Sequence, residues 1–107
     1  MEDIFMRVLV MFDMPTYTKK ERRLYAKFRK YLIQDGFIML QYSVYMRICK
    51  GVISANHHLD KISLIVPPKG HIRGLILTEK QFDNMRLLLG KPNDNQKANE
   101  PKQLTLF

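Results

Sequence analysis

An α+β fold is predicted by three segments of different period. Val8 Leu9 Val10 Met11 Phe12 is an unbroken apolar run of strand length, residues 19–34 repeat apolar side chains at helical spacing, and residues 37–48 return to β-branched and aromatic types. The chain of 107 residues is the size of one domain, so these segments must share one core.

From Ile4 to Phe12, the even positions Met6, Val8, Val10 and Phe12 line one face of a strand, while Leu9, Met11 and Asp13 share the other with Arg7. Both faces are largely apolar. In a small α+β domain helices cover one of them, so the second is expected to pack on another copy of the protein. Pro15 to Thr18 reads as a loop in which Thr18 is an N-cap and Glu21, three residues on, completes a capping box. A helix over Lys19 to Gln34 follows, with Leu24, Tyr25, Phe28, Tyr31 and Leu32 as its packing stripe. Lys19, Arg23, Lys27 and Lys30 occupy the opposite side, flanked by Lys20, Arg22 and Arg29. Asp35 Gly36 ends this helix.

Phe37 to Ile48 reads as two strands, or one sharply bent strand, jointed near Gln41 Tyr42 Ser43. Lys50 to Val66 returns to helical spacing and is stopped by Pro67 Pro68. Gly70 to Leu77 is a further strand, and Thr78 opens a third helix expected to end near Gly90. The domain thus spans 1–90. Residues 91–102, with Ala98 their one apolar side chain, form a flexible polar linker, and Gln103 Leu104 Thr105 Leu106 Phe107 is an apolar tag of strand character. The order strand, helix, strand, strand, helix, strand predicts a ferredoxin-like βαββαβ fold with an extra C-terminal strand, dimeric through its sheet faces. That fold hosts unrelated functions, so the site must decide.

Lys plus Arg number 18 against 10 Asp plus Glu, a formal charge of +8, which points to a polyanionic partner and first to nucleic acid. The charges cluster on the first helix, opposite its packing face, with no base-reading motif. Contacts are therefore expected to go to phosphates, and binding to fall steeply with salt. Candidate contacts are Lys19, Lys20, Arg22, Arg23, Lys27, Lys30 and Arg47. The single Cys49 allows no internal disulfide and no zinc cluster, which fits a reducing, cytoplasmic setting. Met1 Glu2 Asp3 is acidic where a signal peptide is basic, and no apolar run reaches the roughly 18 residues that span a bilayer, so no membrane association is expected.

Asp13 is the candidate for chemistry. It stands at the carboxyl end of the apolar strand, held by structure that cannot easily move. Such a residue can also serve as a turn former bonded to nearby backbone. One carboxylate is half a magnesium site, but a two-fold dimer brings Asp13 towards its own copy, and two carboxylates with waters and a substrate phosphate suit Mg2+. A metal so held can orient a water, or lower its pKa, for attack on a phosphodiester. His57 and His58 are adjacent and point apart on a helix, so with His71 they read as solvated or partly buried polar residues. Ser43 has no spacing that makes it a nucleophile. The tag 103–107 reads either as a strand added to a sheet edge, in cis or in the partner subunit, or as a peptide resembling the bacterial sliding-clamp binding pentapeptide.

Phe12 Asp13 Met14 Pro15, the basic helix, Asp35 Gly36 Phe37 and Gln41 Tyr42 Ser43 Val44 Tyr45 together resemble the small CRISPR-associated endonuclease, the non-integrase member of the two core adaptation proteins. The likeness runs from about Phe5 to Phe82; Tyr45 stands where the family more often has Phe, and the Phe-Asp-Met-Pro form is similar to members from systems with a single large effector nuclease. The resemblance implies a homodimer that bridges CRISPR integrase subunits and holds a captured fragment of double-stranded DNA through its backbone during spacer acquisition. It also implies a metal-binding, catalytic Asp13 shared with the partner subunit's copy, in a family some of whose members are metal-dependent endonucleases acting on RNA or DNA. A stand-alone toxin-like ribonuclease of related fold is the alternative.

Overall fold

The computed structural model describes residues 4–91. Strand β1 (Phe5–Asp13) is followed by helix α1 (Lys19–Gln34), strands β2 (Ile38–Gln41) and β3 (Val44–Lys50), helix α2 (Val52–Ser63), strand β4 (His71–Thr78) and a short helix α3 (Glu79–Asp83). All strand pairs are antiparallel and the order across the sheet is β2-β3-β1-β4, so the chain is α+β and compatible with the ferredoxin-like arrangement. Of the linker expected over 91–102 and the tag over 103–107, all but Lys91 lie outside the described residues.

β1 is central because it can be buried on both sides. Its even positions Met6, Val8, Val10 and Phe12 meet Phe28 and Leu32 of α1, Ala55 and Ile62 of α2, and Phe37, Tyr45 and Cys49. Phe12 lies edge-on to Phe28 at 5.0 Å between ring centroids. Full burial of one such ring contributes roughly 1.5–3 kcal/mol. α1 starts as expected. Thr18 Oγ1 accepts the Glu21 amide at 3.1 Å and Glu21 Oε1 accepts the Thr18 amide at 2.9 Å, two otherwise unsatisfied donors closed reciprocally. It ends at Asp35, and Gly36 at φ +92° turns the chain under the guanidinium of Arg47, which fills the space a Cβ would need.

Three expectations are corrected. The second sheet face is not left wholly to another copy, because α3 folds back on it: Phe82 packs with Leu9, Leu40 and Met46. Arg7, on that face, is fully buried, its Nε and Nη2 donating to the two carboxylate oxygens of Glu79 at 2.6 and 3.0 Å and its guanidinium carbon lying 4.3 Å from the Phe82 ring centroid. Helix α2 ends at Ser63 rather than near Val66, since Leu64 and Val66 face solvent and offer no burial to extend it, while Pro67 biases the preceding residue away from helix. Helix α3 ends at Asp83 rather than near Gly90: only Phe82 reaches a core, and Leu87, Leu88 and Leu89 are exposed. The joint at Gln41 to Ser43 is a two-residue turn between separate strands, with Ser43 at φ +61°.

Candidate functional site

Asp13 ends β1 where the sheet opens. The antiparallel register with β4 sets it opposite His71 and sets Met11 opposite Arg73. Its side chain is 81% exposed, and Oδ1 accepts both the His71 amide at 3.0 Å and a contact from His71 Nδ1 at 3.2 Å. Both contacts fall on one oxygen, Oδ1. Gly70, at φ +110°, brings the α2–β4 loop against β1 so closely that a Cβ there would lie 2.5 Å from the Asp13 carbonyl oxygen. Met11, Phe12, Asp13, Ser43, Val44, His71 and Arg73 line an open cleft of about 280 Å³.

This donor set fits a metal only in part. Among the described residues no group of three or more His, Cys, Asp or Glu converges. One exposed carboxylate oxygen per chain is what a magnesium ion shared between two chains would use, since Mg2+ keeps several waters and takes one or two carboxylates. On the sheet face that carries Met11 and Asp13, Leu75, opposite Leu9 and two residues along β4 from Arg73, is 46% exposed.

Lys19, Lys20, Arg22, Arg23, Lys27 and Lys30 are all exposed on α1, opposite buried Phe28 and Leu32. None forms an ion pair with another described residue, so the whole face is available to a polyanion. Arg22 also braces the loop before the helix, donating to the carbonyls of Thr16 and Tyr17. Arg47 sits elsewhere: on β3, half-buried, its guanidinium donating to the Asp35 carbonyl.

His58 is buried and its Nδ1 lies 2.7 Å from Asp35 Oδ2; Lys61 Nζ donates to Asp35 Oδ1 at 2.8 Å. Burial works to raise the Asp35 pKa, but the hydrogen bonds from Lys61 and His58 and their charges outweigh it and hold the carboxyl below its ordinary value. This cluster ties the end of α1 to α2, far along the chain from the cleft. His57 is exposed. Sequence reasoning missed His71 and Arg73 as neighbours of Asp13. They are 58 or more residues away, and only an antiparallel alignment of β1 with β4 could have found them.

A family model described as CRISPR associated protein Cas2 matches residues 6–85. The chain is 58% identical over 106 residues to the CRISPR-associated endoribonuclease Cas2 of Campylobacter jejuni subsp. jejuni serotype O:2, an alignment covering 99% of this chain and 74% of that relative. It is 51% identical over 86 residues to the protein of the same name from Ligilactobacillus salivarius, covering 80% and 85%. Against the Acidovorax ebreus protein of that name identity is 43% over 102 residues, 95% of this chain and all of that relative. The matched span takes in β1 with Asp13, the basic helix and the whole sheet, and the chain belongs to the CRISPR-associated Cas2 family.

Proposed function

We propose that this chain acts in CRISPR adaptation as a two-fold dimer that holds double-stranded DNA by its backbone and bridges integrase subunits, with a magnesium-dependent phosphodiesterase centre at paired Asp13 residues. The observation that carries the reading is the exposed cationic face of α1, free of ion pairs with described residues and backed by a rigidly packed core. A straight row of cations on a helix matches a phosphate row and reads no bases. The apolar half of the second face beside Met11 and Leu75 supports pairing with a second copy, which would double the cationic row and bring the two Asp13 carboxylates together.

In the cleft, the His71 main-chain N–H donates to Asp13 Oδ1 and orients the carboxylate, and Arg73 presents a cation to a phosphate. Magnesium, when bound there, supplies polarisation of the phosphate and a water of lowered pKa. The relatives are named endoribonucleases, which places RNA beside DNA among the substrates to assay. The test is co-purification with the CRISPR integrase and a DNA fragment at low salt. Intact protein is expected to enter the complex, and failure to do so would overturn the adaptation reading. Asp13→Ala is expected to abolish metal-dependent cleavage of RNA and DNA while sparing the complex; equal residual cleavage by both proteins would mark a contaminant and remove the enzymatic part.

A further inference from the structure

The two-residue turn between β2 and β3 sits at the level of Asp13. Its Ser43 carbonyl accepts the amide of Phe12, the residue before Asp13, at 3.0 Å, and Ser43 itself lines the cleft. The other turn residue is Tyr42. Turns of this kind favour small or polar residues, yet here a large ring stands 75% exposed. It is not a loose side chain. The Tyr42 ring stacks on Tyr25 of α1 at 6.1 Å and 20°, and Tyr25 in turn packs on Phe12 at 5.7 Å, which reaches the core edge-on to Phe28. Tyr25 is further fixed by a hydrogen bond of its hydroxyl with Ser43 Oγ at 3.1 Å. An aromatic file therefore runs from the core to solvent and ends in a ring backed on one face and open on the other. Three residues before Tyr25 and four after it, on the same side of α1, stand the exposed cations Arg22 and Arg29.

We propose that Tyr42, on the turn bonded to Phe12 and stacked on the α1 side of the sheet, is a base-stacking platform that seats one unpaired base while the adjoining phosphates meet the exposed cations Arg22 and Arg29. A preorganised ring with one free face is what an unstacked base requires, and it accepts any base because every base has a π-face. Duplex DNA offers no such base. The α1 face and the Tyr42 edge thus serve different forms of nucleic acid: duplex backbone along the helix, and a single-stranded stretch or splayed end at the turn. The proposal stands apart from the phosphodiesterase reading of Asp13, and its test avoids cleavage so that the two can fail separately.

The test uses the full chain carrying Asp13→Ala, in metal-free buffer, with a single-stranded oligoribonucleotide of about twelve nucleotides containing one 2-aminopurine. Binding is expected to change the fluorescence of the probe through stacking, while the same sequence as a duplex binds without that change. Adding Tyr42→Ala or Tyr42→Leu is expected to remove the change and weaken single-strand binding by about 5- to 150-fold, and Tyr42→Phe to restore both. Thermal melts of each variant separate loss of the platform from loss of fold, since Leu keeps an apolar side chain on Tyr25 without a stacking face. A Tyr42→Leu protein that binds and perturbs the probe like its parent overturns the proposal, as does failure of the parent to bind single strands. Cleavage by the chain with native Asp13, measured apart, decides the phosphodiesterase reading alone.

Discussion

Glu79→Gln tests how the second sheet face is closed. The Arg7 side chain has no solvent exposure and Glu79 has 18%, so the pair is buried on one side and only partly wetted on the other. Both carboxylate oxygens are engaged, by Nε at 2.6 Å and Nη2 at 3.0 Å, while Nη1 reaches Met46 Sδ at 2.9 Å. A neutral amide keeps the shape but leaves a guanidinium without countercharge on Glu79, and losing one partner of a buried pair costs about 3–5 kcal/mol. Residual access of water to position 79 places the expected loss near the lower end, about 3 kcal/mol. That is a large share of the roughly 5–15 kcal/mol that stabilises a domain, and it lowers Tm by about 12 °C or more.

Arg7→Met behaves differently, because it removes the buried charge and leaves a carboxylate that water can reach. Its expected cost is about 1 kcal/mol, mostly the lost guanidinium contact over Phe82. The double variant should then be more stable than Glu79→Gln alone. Urea unfolding followed by circular dichroism, at fixed protein concentration because any dimer makes stability concentration-dependent, gives all three differences. Glu79→Gln within 1 kcal/mol of wild type, or a double variant less stable than Glu79→Gln, would refute the reasoning.

Two further predictions concern the ends of the sheet. Asp35 has its folded pKa lowered, so the stability it contributes is present above its unfolded value near pH 4 and is lost as pH falls through the lower folded value. Urea midpoints of wild type and Asp35→Asn at pH 6 and pH 3 should therefore converge at the lower pH, and a constant gap would exclude ionised Asp35 as the clamp on His58 and Lys61. Gly70→Ala should destabilise by about 1–3 kcal/mol and disturb the Asp13 cleft, because both its φ of +110° and the nearby Asp13 carbonyl oppose a side chain. Gly51→Ala, with a similar φ of +89° but nothing within 4 Å, should cost less; equal losses in thermal melts would mean that close approach to β1 is irrelevant.

What the sequence made legible was mostly local. The Thr18–Glu21 box, the bounds of α1 and the joint at Gln41 to Ser43 each depend on residues within a few positions of one another. Helix ends beyond α1 were overextended, because apolar residues such as Leu64 and Leu87 to Leu89 continue a helical pattern after the core beneath them has run out. Asp13 was visible as a carboxylate closing a buried strand, and the α1 cations as a face. The partners were not. Arg7 looked like one polar interruption of an apolar face, and nothing near it announced Glu79, 72 residues away. Tyr42 was read as part of a joint and of the 41–45 motif; its stacking on Tyr25 depends on how the turn lies over α1.

The missing information reduces largely to one quantity, the register between β1 and β4. Pairing Met6 with Thr78 fixes Leu9 opposite Leu75, Met11 opposite Arg73 and Asp13 opposite His71 in a single step. A slip of one residue would turn Arg73 and Leu75 to the other face; a slip of two would keep the faces but give Asp13 a different partner. Apolar alternation alone tolerates the second error. Arg7 adds a constraint: it lies opposite Leu77, and in this register Glu79, directly after the Thr78 cap, reaches the buried guanidinium from the first turn of α3. The ion pair at one end of β1 thus reinforces the pairing that assembles the Asp13, His71 and Arg73 cleft at the other. A residue that looked like a flaw in the strand thus helps to hold the strands that build the site.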